Sequence, residues 1–385
     1  MREWRGVGLV GGWQVAASIC FYAVFATTAF LRADFGLTRF RTGLAVTAVI
    51  GGYTAALFVA GAVVDAYGER PPMVGGLLLM AAGCVAVAFV PTYPLVLASL
   101  VFVGVAYATA MPATNRAVLV VAPAGQRNLA MNVKQVGVTV GSGLSAGLIT
   151  VAGTNADWEA GFLVAAGVAC VVAAVFAWGY DGKEGSGTLA FPDIRGLLAG
   201  SGYRGLLLSG FFLGAAVFTT TGYVVLYMTD SVLASAAVAG GTLAAIQVTG
   251  SLGRLGGGTI ADRLQLSASV ANARVLLVQS VVTAVGFVAI TLVGGPLVAA
   301  VAFTLLGFFV LGFPGMYYGC LTALVDDDEV GAATAGGQTA INLGGLLAPP
   351  AFGYLADSVG YDLGWYGLAV CAALAAVALA PLVRE

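Results

Sequence analysis

Gly61-Ala-Val-Val-Asp65-Ala-Tyr-Gly68-Glu69-Arg70 interrupts two long apolar runs, and Gly258-Thr-Ile-Ala-Asp262-Arg263 interrupts two more, 197 residues later. Two further pairs keep nearly the same offset. Pro112 matches Pro314, 202 residues on, and Gln135 with Gly141 matches Gln338 with Gly344, 203 residues on. A repeated offset of this kind implies a duplicated unit. The Gly-x-x-x-Asp-x-x-Gly spacing occurs once more, at Gly353, Asp357 and Gly360.

The runs between these marks are of hydrocarbon length. Of 385 residues 60% are apolar and 9% charged, with a mean hydropathy of +0.98. A soluble domain carries about 25% charged residues, so a soluble fold is excluded. Breaks in charge, Pro and Gly predict twelve spans at 7–31, 42–64, 73–90, 94–120, 128–151, 158–178, 204–228, 236–261, 273–293, 297–324, 331–355 and 363–382. Hydrocarbon demands that every backbone group be bonded internally, and these runs are too long and unalternating for barrel strands. The fold class is therefore all-α membrane protein, twelve transmembrane helices in two pseudo-symmetric six-helix bundles. The expected organisation is residues 1–178, a cytoplasmic linker 179–203, and residues 204–385. Gly6 to Leu31 is too long for a signal-peptide core and lacks a small-residue cleavage site, so it is expected to remain as the first span.

Lys and Arg placement sets the orientation. With an internal N-terminus, Arg2, Arg5, Arg70, Arg127, Lys183, Arg195, Arg204, Arg263, Arg274 and Arg384 lie inside, and Arg32, Arg39 and Arg41 outside. The bias predicts both termini in the cytoplasm of a multi-pass plasma-membrane protein.

Composition narrows the chemistry. The chain has no His and a net charge of −2. The five cysteines (Cys20, Cys84, Cys170, Cys320, Cys371) lie in separate apolar runs without CxxC spacing, which reads as buried free thiols. No nucleotide loop, metal cluster or basic surface is present in the sequence. The expectation is a monomer that takes a small anionic substrate in the lipid bilayer, with no cofactor, no metal, no nucleic-acid partner and no enzymatic role.

The stretch Gly61 to Arg70 resembles the loop signature of the major facilitator superfamily, G-x-x-x-D-x-x-G-x-R/K, and the copies at Gly258 and Gly353 extend that resemblance over the whole chain. The resemblance implies transport by alternating access. It implies that the loop Asp caps a neighbouring helix while the Arg latches the cytoplasmic face. Gly61, Asp65, Gly68, Arg70, Asp262 and Arg263 are the corresponding gating residues here. Drug:proton antiporters of the superfamily carry an Arg early in the fourth span, whereas this chain has Ser99-Leu-Val-Phe-Val-Gly104.

Three cations lie inside apolar spans, Arg116, Lys134 and Arg254, with no acidic residue at comparable depth. A charge in hydrocarbon costs several kcal/mol, so such residues mark substrate paths, and unmatched positive charge suggests an anionic substrate. The alternative for each is a cation that snorkels to the interface. Arg254 lies eight residues before the loop, about 12 Å deep. Its string Gly253-Arg254-x-x-x-x-x-x-x-Asp262-Arg263 is similar to that of monocarboxylate and oxalate:formate carriers, in which the Arg binds a carboxylate. The second cation that oxalate:formate-type carriers hold in the eleventh span is absent at Gly337-Gln338, and Lys134 stands in the mirror span instead. An anion clamped by Lys134 and Arg254 is expected. Gln135, Tyr22, Gln247, Gln338 and Asn342 complete the candidate substrate-binding set, the last two on one helical face. The leading reading is a secondary or facilitative transporter of a small organic anion, a carboxylate. The alternatives are a nitrate- or nitrite-like inorganic anion carrier, for which Leu57 stands where a second Arg is needed, and a drug exporter. Gly250 occupies the place where monocarboxylate carriers hold an Asp, so exchange or facilitated transport is as well supported as proton symport.

Overall fold

The computed structural model describes residues 4–123, 127–189, 196, 198, 200–325 and 330–383. Arg2, Asp193, Arg195, Arg384, the Asp326–Glu329 run and the Arg127 side chain lie outside the described residues. The chain is helical throughout: α1 Arg5–Phe35, α2 Arg39–Tyr67, α3 Arg70–Phe89, α4 Tyr93–Tyr107, α5 Ala110–Val121, α6 Arg127–Asn155 and α7 Trp158–Gly179. After the linker follow α8 Ser201–Asp230, α9 Ala236–Arg263, α10 Ala268–Ile290, α11 Pro296–Val310, α12 Pro314–Ala323, α13 Val330–Ser358 and α14 Tyr361–Leu379. Eleven spans among the described residues are long and apolar enough to cross a membrane, counting α4 with α5 and α11 with α12 as one each. The twelfth, α13, has 29 residues diluted by Gly, Thr, Gln and Asn.

Two spans expected to be continuous are broken. Proline has no N–H and its ring presses on the carbonyl four residues back. Pro112 accordingly follows a turn at Ala108–Thr109, where the Ala108 amide is shared between the carbonyls of Gly104 and Val105 at 3.2 Å each. Pro314 follows the turn Leu311–Phe313. The matched prolines make matched breaks.

Contacts divide the chain into two units, 1–30 with 48–191, and 31–47 with 192–385. Within the first, Gly141 lets α6 lie on α1: a Cβ there would sit 2.6 Å from the Ser18 Cβ. Within the second, its partner Gly344 lets α13 lie on α8, with a Cβ 2.7 Å from the Ala215 amide. Small residues permit such close backbone approach where lipid offers no hydrophobic drive to helix association. The repeat therefore extends from sequence to contact. Cys20, Cys84 and Cys320 are buried free thiols and Cys371 is half-buried, but the Cys170 thiol is exposed on α7.

Candidate functional site

In the first unit the three polar spans α1, α5 and α6 converge. Lys134 on α6 is 3% exposed, and its Nζ donates to Asn115 Oδ1 at 2.8 Å. No carboxylate among the described residues pairs with it. Three residues on, Gly137 lies against Gln14, whose Cβ would be 3.1 Å from an added methyl. Gln14 is itself buried, donating to Ser18 at 3.2 Å and to Tyr107 at 3.4 Å and accepting from Thr114 at 3.4 Å. The neighbouring residues Thr114 and Asn115 thus present a neutral polar face of α5 to α1 and α6. Tyr107 stacks on Phe21 at 4.1 Å, and Phe21 meets Tyr22 edge-on at 5.1 Å. Gln135 is half-buried, with no side-chain partner among the described residues.

Arg116 points elsewhere. Its Nε donates to Glu69 Oε2 at 2.9 Å, its Nη1 lies 3.7 Å from Asp65, and its Nη2 donates to the Glu184 carbonyl at 2.8 Å. The expectation that no acid neutralises Arg116 is corrected here: the Glu69 side chain, in the α2–α3 loop, is 0% exposed and pairs with it. Its other oxygen accepts from the Tyr180 hydroxyl at 2.8 Å and the Lys183 amide at 2.9 Å. Burial alone would raise the Glu69 carboxyl, but the Lys183 amide, the Tyr180 hydroxyl, its own amide and Arg116 together hold it below the usual carboxylate range. Burial, then the carboxylate beside it, push the Tyr180 phenol far up, so it remains a donor.

Glu69 thereby fastens the start of the linker. The Ser186 and Gly187 amides donate to the Asp65 and Ala66 carbonyls at 2.8 and 3.0 Å. Gly68, at φ +80°, and Gly185 leave room for this crossing, where a Cβ on Gly185 would lie 2.6 Å from the Gly68 amide. The gating set is arranged differently from the family pattern. Asp65 is 66% exposed and makes no helix-capping bond among the described residues. Arg70 donates to the Ala177 carbonyl. Asp262 and Arg263 are exposed, and Gly61 faces open space.

In the second unit, α12 and α13 assemble a polar row. Tyr318 donates to Gln338 Oε1, and Gln338 Nε2 donates to Asn342 Oδ1 at 2.7 Å. Asn342 is 0% exposed, and its Nδ2 has no partner among the described residues. Arg254 is half-buried. Its Nε donates to the Leu311 carbonyl at 2.9 Å, which lies in the turn that Pro314 forces. Gln247 is buried two turns away on the same helix. Sequence reasoning missed Glu69, Asn115 and Asp230, the partner of Arg32 at the end of α8, because an acid or amide near a span end reads as a solvated cap.

Three comparisons bear on this arrangement. The sequence profile described as Major Facilitator Superfamily matches residues 12–327. No curated protein matches the sequence. Among solved structures, a bacterial homolog to the human lysosomal transporter Spinster, in an inward-facing and occupied conformation, superposes with a TM-score of 0.82 at 13% identity over 98% of this chain and 96% of that one. Its inward-facing, unoccupied form gives 0.81 at 14% identity, over 99% and 97%. At such identity the likeness is one of fold. The profile covers most of the chain, its spans and repeat agree with it, and the protein belongs to the major facilitator superfamily of multi-pass membrane transporters.

Proposed function

We propose that this transporter moves a small organic anion, a carboxylate, by alternating access in the plasma membrane, with both termini in the cytoplasm. The observation that carries the reading is Lys134. A buried ammonium whose one hydrogen-bond partner among the described residues is a neutral amide holds charge that those residues do not balance. An anionic substrate supplies the missing charge, while Asn115 fixes where the ammonium points. Arg254 supports the same reading from the second unit, where a half-buried guanidinium is held by the Leu311 carbonyl in the turn before α12. The row offers the unsatisfied Asn342 donor, which suits an oxygen-rich ligand. Arg116 is left out of the substrate path, since Glu69 already balances it.

The test is uptake by reconstituted vesicles of labelled acetate, oxalate and nitrate, for the native chain and for Lys134→Gln. Accumulation of a carboxylate that Lys134→Gln abolishes is the expected result. Uptake of nitrate alone would favour the inorganic alternative, and indifference of any uptake to Lys134→Gln would remove the assignment.

A further inference from the structure

Two guanidinium groups meet at the last turn of α7. A helix ends in carbonyls without donors of their own and in the negative end of its dipole, so cations settle there. Arg70, from the start of α3, donates to the Ala177 carbonyl. Arg5, from the start of α1, reaches the same turn, its Nη2 3.8 Å from where a Cβ on Gly179 would stand. Both arginines are exposed. Among the described residues neither forms an ion pair, and Arg5 makes no side-chain hydrogen bond. Glu69, the residue before Arg70, gives its oxygens to Arg116, Tyr180 and Lys183 instead.

An apolar stripe runs up to these charges. At 100° per residue, Trp178 projects from α7 between the sides that carry Ala177 and Gly179. It is 97% exposed, although an indole of that size is ordinarily sheltered. Val175, Val171 and Val164 continue the same exposed side. Gly167, among them, keeps the stripe shallow, since an added Cβ would meet nothing within 4 Å. Val164 to Trp178 covers about 21 Å along the helix, more than the roughly 15 Å of hydrocarbon in one leaflet. The opposite side of α7, with Phe162, Ala165, Ala169, Ala173 and Phe176, is buried.

We propose that this corner of α1, α3 and α7 binds one anionic phospholipid. Arg5 and Arg70 hold its phosphodiester, Trp178 lies at the level of the glycerol, and an acyl chain follows the valine stripe. The order of chemistry along α7 is the order along such a lipid: hydrocarbon, then an amphipathic interfacial ring, then negative charge met by positive. Guanidinium groups suit a phosphate through paired hydrogen bonds. A zwitterionic lipid fits worse, because its own cation would face two arginines. Bound lipid ties three helix ends together just before the linker crosses the α2–α3 loop, and so stabilises the first unit by mass action. The site goes beyond the transport reading and takes nothing from the identity of the substrate.

The test measures lipid binding to the delipidated full-length protein by native mass spectrometry, with phosphatidylglycerol, phosphatidylcholine and glycerol 3-phosphate as probes. The native protein should hold one phosphatidylglycerol more tightly than phosphatidylcholine, and glycerol 3-phosphate should fail to compete. Arg5→Gln/Arg70→Gln should lower the phosphatidylglycerol affinity about ten- to thirtyfold, in keeping with about fivefold for each basic residue at an anionic surface. Arg204→Gln/Arg274→Gln removes the same charge from exposed positions of the second unit and should leave that affinity nearly unchanged. Equal affinity for the two lipids, equal losses in the two double variants, or full competition by glycerol 3-phosphate would overturn the lipid site. Should Arg70→Gln disturb the end of α7, Arg5→Gln decides alone: about a fivefold loss upholds the site, and no loss overturns it. Phosphatidylglycerol brominated on its chains gives the position. It should quench a larger fraction of the fluorescence of the native protein than of Trp178→Phe, and equal fractions would overturn the assignment to α7.

Discussion

Removing Arg116 should damage the fold rather than anion binding, and the size of the effect follows from Glu69. The Glu69 side chain is 0% exposed, whereas that of Arg116 is 29% exposed. Breaking a buried ion pair from one side costs about 3–5 kcal/mol, because the remaining charge is left uncompensated. Two donors stay on Glu69, the Tyr180 hydroxyl and the Lys183 amide, and water can reach the vacated guanidinium position. Arg116→Ala should therefore fall near about 2–3 kcal/mol, below the full penalty. In Glu69→Gln the charge is gone and the new amide nitrogen meets the Arg116 Nε donor-to-donor. Adding Arg116→Ala to that variant should cost only about 0.5–1 kcal/mol. The expected coupling is then about 1–2 kcal/mol, within the range for residues in direct contact. The assay is equilibrium unfolding of the four proteins in mild detergent, read by intrinsic fluorescence. Additive losses would show that the pair does not act as one. Full stability combined with weakened anion binding would return Arg116 to the substrate path.

Other outcomes follow from the same contacts. Lys134→Met should raise thermal stability, since it replaces a buried charge whose only partner among the described residues is neutral, and should abolish stabilisation by bound anion in a thermal-shift series. Arg254→Ala should cost about 1–3 kcal/mol by stripping the Leu311 carbonyl of its donor, and Arg254→Lys should restore stability better than anion response. Gly344→Val should fail to pack α13 on α8, seen as loss of monodisperse protein in detergent, since its Cβ would lie 2.7 Å from the Ala215 amide. The strap at Lys183–Gly187 should stay docked at neutral pH. The folded Glu69 carboxyl lies below its ordinary range, so its contribution is present above that range and lost as pH falls through the lowered value. Hydrogen exchange of the Ser186 and Gly187 amides, corrected for intrinsic rate, checks this, and loosening between about pH 5 and 7 would contradict it.

How far the sequence can be read depends on which physical rule a residue obeys. Hydrocarbon leaves the backbone no choice but helix, so the spans, the duplication and the paired prolines were visible in the residues alone. Side-chain partners were another matter. Lys134 and Arg254 announce themselves because their cost is one-body: charge in an apolar run is unusual whatever faces it. Glu69 does not, because its burial depends on Tyr180 and Lys183, more than a hundred residues away, folding back over the α2–α3 loop. The same holds for Asp357, whose carboxylate accepts the Arg39 and Phe40 amides, 318 and 317 positions earlier. The family signature pointed to the acidic position Asp65, yet the buried carboxylate is its neighbour Glu69, at a position the signature leaves open. The departure is intelligible. With Gly68 and Gly185 admitting the linker so closely, the groups nearest the crossing are the Lys183 amide and the Tyr180 hydroxyl, both donors, and an acid can satisfy them together with Arg116. A basic residue at position 69 would leave all three donors facing a fourth. The linker and the loop therefore constrain each other, and a change in either is expected to be tolerated only with a change in both.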